Sequence, residues 1–283
     1  MPELRQRWVA AGFTQPESPA YDAKRGAIYV SNMIDSTIPV PEHGAGFISK
    51  LDVDGTVAVA RWVEGLNQVK NIAVHGDYLY AADSHELVII DIDESAIVAR
   101  YHAPDSMYID GVTVHPDGTV FVGDLGFNRI WRLTTDGEWG IWLESTSLHH
   151  PDGLVAEQNR LVTVGFGGLG PFRTDPDDLE TGFLSTIDLS DRTITPIGDG
   201  APLGHLDGLA AHPAGGYLAT DSINGALFRI DEAGQAEILH EFPSTSGPAD
   251  IDVITDQNVV LVAMLWENAV RAFDLPGAPS DRN

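Results

Sequence analysis

Residues 149–157 read HHPDGLVAE, and residues 204–212 read GHLDGLAAH. A third version, YIDGVTVH, starts at Tyr108. An Asp-Gly pair ahead of a short apolar run reads as a turn leading into a strand, and its recurrence points to a repeated structural unit. Taking the Asp as a marker gives Asp110, Asp152 and Asp207, with weaker copies beginning at Glu17 (ESPAYDAKRG), Lys70 (KNIAVHGDY) and Asp250 (DIDVITDQN). After each marker comes a turn rich in Gly, Asp, Asn or Pro, and then a β-rich second strand such as YLYAAD, TVFVGD or GYLATD. Third and fourth strands follow in the same order, but only five fourth strands lie downstream of their markers. The sixth is found at the other end of the chain, where LRQRWVA (residues 4–10) echoes VAVARWV (residues 57–63). The expected fold is therefore all-β: a six-bladed β-propeller of four-stranded blades, its last blade closed by the N-terminal strand, which removes the exposed sheet edges. One domain is expected over residues 1–275, with a mobile tail over 276–283.

Composition narrows the function classes. The 283 residues carry 16 Lys+Arg against 42 Asp+Glu, a formal net charge of -26. Such a chain is repelled by nucleic acid and by anionic membranes, so neither is an expected partner. With no cysteine, disulfides, thiolate metal sites and a Cys nucleophile are excluded. The N-terminal stretch lacks the basic start and apolar block of a signal peptide, and the longest apolar run, VVLVAMLW (residues 259–266), is too short to span a bilayer. The expectation is a soluble cytoplasmic protein acting on a small molecule, with its oligomeric state left open.

Two units are longer than the rest, with insertions between second and third strands at residues 33–45 and 166–181. In a six-membered ring these blades are opposed, and both insertions should overhang the face carrying the markers as lids or pocket walls. On that face the first strands line the central channel. The marker side chains Glu17, Lys70, Asp110, Asp152, Asp207 and Asp250 should then converge at one mouth, five acids and one base. Like charges about 5 Å apart repel by roughly 3 kcal/mol at an effective dielectric near 20, which a bound cation or raised carboxyl pKa values would relieve. An all-oxygen cluster suits one divalent ion, Ca²⁺ first, with Mg²⁺, Mn²⁺ or Zn²⁺ as alternatives. By strand alternation the residues two before the markers, Gln15, Gln68, Tyr108, His150, His205 and Pro248, should share the rim. That makes His150 and His205 candidates for proton transfer. His115 and His212, in turns at the other end of the strand, read as structural. Asp83, Asp124 and Asp221 read as loop-capping carboxylates.

These residues resemble the gluconolactonase/regucalcin (senescence-marker-protein) family of six-bladed propellers, from PESPAYD near the N-terminus to VRAFDL near the C-terminus. The resemblance implies a metal held by Glu17, from the family's Glu-x-Pro, by Asp152, where the family has the Asn of Asn-Gly-Leu, and by Asp207. Asp207 would also be the general base. The chain departs from the sugar-lactone pattern at two places: Ile109 replaces an Asn, and Met107 replaces an Arg that contacts sugars. MYIDG therefore offers Met107, Tyr108 and Ile109 as an apolar wall, with Asp110 and Asn71 as polar substrate contacts. The expected activity is a metal-dependent lactonase or esterase acting on a small, fairly apolar substrate, with Asp207, His150 or His205 activating the water. Two other readings stay open: a non-hydrolytic binding propeller with a structural metal, and a lyase or isomerase on the same scaffold.

Overall fold

The computed structural model describes residues 4–34, 44–106, 108–168 and 180–276. Met107, the middle of each expected lid (residues 35–43 of 33–45 and 169–179 of 166–181) and the expected tail beyond residue 276 lie outside the described residues. The chain opens with β1 (Arg5–Ala11). Blade one follows as β2 (Pro16–Asp22), β3 (Ala27–Asn32), β4 (Gly46–Asp52) and β5 (Val57–Leu66). Blade two is β6 (Val69–His75), β7 (Tyr78–Asp83), β8 (Glu86–Asp91) and β9 (Ala96–His102). Blade three is β10 (Val112–Val114), β11 (Val120–Asp124), β12 (Arg129–Leu133) and β13 (Trp139–Glu144). Blade four is β14 (Pro151–Ala156), β15 (Arg160–Gly165), β16 (Leu184–Asp188) and β17 (Ile194–Pro196), and blade five is β18 (Leu206–Ala211), β19 (Tyr217–Asp221), β20 (Ala226–Ile230) and β21 (Ala236–Glu241). Blade six is β22 (Pro248–Ile254), β23 (Val259–Met264) and β24 (Ala269–Asp274), completed by β1 antiparallel to β24. The protein is thus the six-bladed propeller that the repeat predicts, closed by its N-terminal strand. Among the described residues no helix is long and apolar enough to cross a membrane.

Burial follows strand position. The second strand of blade six, VVLVAM, is buried at every residue because neighbouring blades cover both of its faces. The outer strand AIVARYH alternates exposed and half-buried positions, with one edge and one face in water. The core accordingly lies between blades: Tyr29 and Ile48 of blade one pack with Leu79 and Val88 of blade two, and Leu218 and Leu227 of blade five with Val260 and Phe273 of blade six.

The first strands touch one another in sequence around the ring, and all but β10 begin irregularly. Pro16 pairs with Asn32 but Pro19 with Val30, so β2 carries one residue more than β3 over that stretch. The same shift falls between Val69 and Ile72, Pro151 and Leu154, Leu206 and Leu209, and Pro248 and Ile251. A bulge of this kind re-aims a side chain, and here it turns one residue per blade toward the channel mouth. In blades one, two, four and five that residue is the sequence marker: Glu17, Lys70, Asp152 and Asp207. In blade six it is Ala249. The expected ring member Asp250 sits one residue further along and faces deeper into the channel, because blade six replaces Asp-Gly by Ala-Asp.

The residue after the ring position explains the repeated glycine. A Cβ on Gly153 would lie 2.6 Å from the Asp207 carbonyl oxygen, and one on Gly208 would lie 2.7 Å from Asp250 Cα. Inner strands of successive blades approach too closely there for a side chain. Blades one, two and six carry Ser18, Asn71 and Asp250 at this level instead, and these side chains bond to one another. Ser18 Oγ donates to Asp250 Oδ2 at 2.6 Å, Asn71 Nδ2 donates to the same oxygen, and Asn71 Oδ1 accepts from Val112 N at 2.9 Å.

Candidate active site

A cavity of about 330 Å³ opens at the marker end of the channel. Its floor is Glu17, Lys70, Asp110, Asp152 and Asp207, with Gln68 and Tyr108 beside them. Its wall is apolar: Met33, Leu125, Phe166, Ile223, Leu265 and Trp266. Each wall residue comes one or two positions after the end of a second strand, where blade edges turn back over the mouth. Met33 and Phe166 open the two insertions expected to wall the pocket, whereas sequence reasoning missed Leu125, Ile223, Leu265 and Trp266, although the positions following VGD, ATD and VAM carry the signal. Trp266, 48% exposed, stands at the rim.

Electrostatics make the floor unusual. Burial is the main cause that pushes the Glu17 and Asp152 carboxyls well above the ordinary range, with Asp110 adding repulsion in both cases. Asp207 is pushed up to about 7, by burial first and then by Asp110, with Lys70 opposing. Lys70 Nζ donates to Asp110 Oδ2 at 2.9 Å and lies 5.0 Å from the centre of the Tyr108 ring. Burial alone would lower the Lys70 pKa, but the Asp110 and Glu17 carboxylates outweigh it and hold the ammonium charged. Glu17 Oε2, Gln68 Oε1 and Asp110 Oδ1 are buried without a hydrogen-bond partner, while Ser222 lies within reach of Asp207, so the floor is poised to take up polar groups from a ligand.

The expected metal site can be tested against this donor set. Unpartnered carboxylate oxygens are what a cation would satisfy. Yet among the described residues no three His, Cys, Asp or Glu side chains are grouped so as to hold an ion, and the cation the ring contains is the Lys70 ammonium. As the side chains stand, the ring does not fit a divalent ion.

The structure gathers Glu17, Tyr108, Asp110, Asp152 and Asp207 in one cavity and places four other expected site residues elsewhere. Ile109 is fully buried in the core between blades two and three, so its side chain forms no wall of the cavity. Asn71 lines the space toward the far end of the channel, together with Asp250. His150 has φ 59 and leaves the strand alternation. Its Nδ1 lies 2.6 Å from the Leu125 carbonyl oxygen, and it faces a separate cleft beside His149 and Glu180. His205, 5% exposed, stands behind the cavity wall, with Nδ1 3.1 Å from the Phe166 carbonyl oxygen and its ring 5.0 Å from that of Phe166. At the rim level of blade six it is Gly247, rather than Pro248, that reaches the cavity. Two of the three expected capping acids cap backbone: both Asp83 oxygens accept from Asn67 N, and Asp221 Oδ1 accepts from Ile223 N and Asn224 N. Asp124 instead makes no cap bond and accepts from the Trp131 indole.

A family model described as the LVIVD repeat matches residues 67–97, most of blade two. No curated protein matches the chain significantly. Among solved structures, a gluconolactonase from Xanthomonas campestris superposes with a TM-score of 0.71 at 16% identity, covering 97% of this chain and 91% of that one. Virginiamycin B lyase from Staphylococcus aureus gives 0.65 at 14% identity, covering 96% and 100%. An auxiliary nutrient binding protein from Bacteroides thetaiotaomicron gives 0.68 at 12% identity, covering 93% and 69%. At these identities the likeness is one of fold, and it spans propellers of differing chemistry.

Proposed function

We propose that the protein is a hydrolase of small lactones or esters with an apolar body, working in the cavity at the channel mouth. The observation that carries this reading is the pairing of an Asp207 carboxyl pushed up to about 7 with the Asp152 and Glu17 carboxyls, also raised well above their ordinary range by burial, in one cavity under an apolar wall. Such a group is partly ionised at neutral pH and able to take a proton from water, while a neighbour that keeps its proton can give one. In the proposed step the Asp207 carboxylate removes a proton from a water molecule, whose oxygen bonds to the substrate carbonyl carbon. The bond from that carbon to the alkoxy oxygen then breaks, and the departing oxygen takes the proton of Asp152. The wall of Leu125, Phe166, Ile223 and Trp266 suits an acyl chain or ring better than a polyhydroxylated sugar. This is the gluconolactonase-like reading of the sequence with its substrate shifted toward apolar lactones.

The test is turnover of a panel of aliphatic lactones and aryl esters in ¹⁸O-labelled water. A hydrolase places one label in the product acid, and Asp207→Asn lowers the rate roughly 100-fold or more. Ring opening without label indicates a lyase. A wild type as inert as Asp207→Asn across the panel would overturn the hydrolase reading.

A further inference from the structure

We infer that the Lys70 ammonium takes the electrostatic place a divalent ion would otherwise fill, so that this cavity holds and polarises a substrate carbonyl oxygen with no metal bound. The chemistry in this inference rests on the hydrolase reading; the statement about metal does not.

The ring position is filled by an acid in blades one, three, four and five, and blade two puts a lysine there. This lysine is not a solvated one. Its side chain is 17% exposed, and its partner Asp110 is 3% exposed. Among the described residues Asp110 is the one hydrogen-bond partner of Nζ, and an ammonium carries three N–H donors. The Tyr108 ring lies against it, and both residues line the cavity, so the remaining donors are held beside the space a ligand enters. The ion pair also removes Asp110 Oδ2 from any ligand set. An ion placed in the same ring would meet a fixed charge of its own sign at low effective dielectric. This agrees with the lack, among the described residues, of three acid or imidazole groups arranged around a common point.

The role follows from where charge develops. When water oxygen bonds to the carbonyl carbon, the electron pair of the C=O bond moves to oxygen, and a preorganised ammonium stabilises it without further reorganisation. When the carbon–alkoxy bond breaks, that pair returns and the charge passes to the leaving oxygen, which is protonated by Asp152. No redox partner or added ion is required.

The deciding experiment measures metal directly. Purified protein is stripped with a chelator, then titrated separately with Ca²⁺, Mg²⁺, Mn²⁺ and Zn²⁺ while the melting temperature and binding heat are followed. The expected result is no stoichiometric binding and an unchanged melting temperature. Lys70→Ala, which removes the ammonium from among the acids, should gain saturable binding of at least one ion, and Lys70→Ala/Glu17→Gln should lose it. Stoichiometric binding of one ion by the wild type, with a rise in melting temperature that Glu17→Gln abolishes, would overturn the inference whether or not Lys70→Ala folds. On an active substrate, stripped wild type should keep its full rate, and Lys70→Met should lose roughly 100-fold in kcat. A wild type that turns over the panel only with added ion refutes the role of Lys70 and keeps the hydrolase. A wild type that is inert on the panel and binds no ion refutes the hydrolase and keeps the statement that Lys70 fills the place of an ion.

Discussion

Ser18 Oγ donates a 2.6 Å hydrogen bond to Asp250 Oδ2, joining the inner strands of the first and last blades across 232 positions of sequence. The closure of the propeller is therefore fastened twice, by the β1–β24 pairing at the outside and by this buried bond at the channel. Asp250 also accepts from Asn71, so truncating it strands two buried donors at once. Asp250→Ala should destabilise the fold by roughly 2–6 kcal/mol, at about 1–3 kcal/mol for each of the two unsatisfied buried groups, as measured by urea unfolding. Asp250→Asn keeps an acceptor and should cost much less. It should also keep its turnover, since Asp250 lies below the catalytic floor.

Asp207 sets a pH dependence with a definite sign. In the proposed hydrolysis it works ionised as the base, and its carboxyl is pushed up to about 7 by burial and by Asp110. The rate should therefore fall tenfold for each pH unit below this value, giving a rising limb near neutrality in kcat/KM, with a falling limb at higher pH where Asp152 loses the proton it must give. Asp110→Asn removes the repulsive neighbour and should move the rising limb to lower pH. A rising limb unmoved by Asp110→Asn would place the base elsewhere.

Stability should run the opposite way with pH. Buried carboxyls at Glu17, Asp152 and Asp250 are raised well above the ordinary range, and those of Asp83, Asp124 and Asp252 to about 6, in each case chiefly by burial. Between about pH 4 and pH 7 the folded chain keeps protons that the unfolded chain has released, so unfolding free energy falls as pH rises. Self-repulsion from the net charge of -26 acts in the same direction. The exposed acids held low, such as Asp77 and Asp117, oppose this only weakly because solvent screens them. The melting temperature should be higher near pH 5.5 than near pH 8 at constant ionic strength, and Asp152→Asn should flatten the difference.

The blade count and the closing strand were legible because every blade repeats one pattern of marker, turn and apolar strand. The floor was legible for the same reason at Glu17, Asp110, Asp152 and Asp207. Two kinds of information were not. The extra residue in five of the six first strands sets which side chain turns into the channel, and no residue type announces a bulge, so Asp250 was read one position early and Ala249 was overlooked. Local backbone also overrides alternation: with φ 59, His150 cannot continue the strand that its spacing suggests. Ile109 illustrates the limit from the other side, since an apolar residue beside a site and one in the core read alike until packing separates them.

The glycine of the marker carries the last prediction. A Cβ on Gly208 would lie 2.7 Å from Asp250 Cα, 2.8 Å from Ile251 N and 3.0 Å from the Ala249 carbonyl oxygen. All three atoms are backbone, so no rotamer change relieves the contact, and the inner strands of blades five and six must separate. Gly208→Ala should cost roughly 1–3 kcal/mol, as overpacking of a tight contact does. Because Asp207 precedes the strained residue, the variant should also lose turnover in excess of its loss of folded protein. Gly140 is the control: a Cβ there meets nothing within 4 Å, and Gly140→Ala in its outer strand should be neutral or stabilising by about 0.5–1 kcal/mol. If urea denaturation found the two substitutions equal, the close approach of the inner strands would not be what the Asp-Gly repeat encodes.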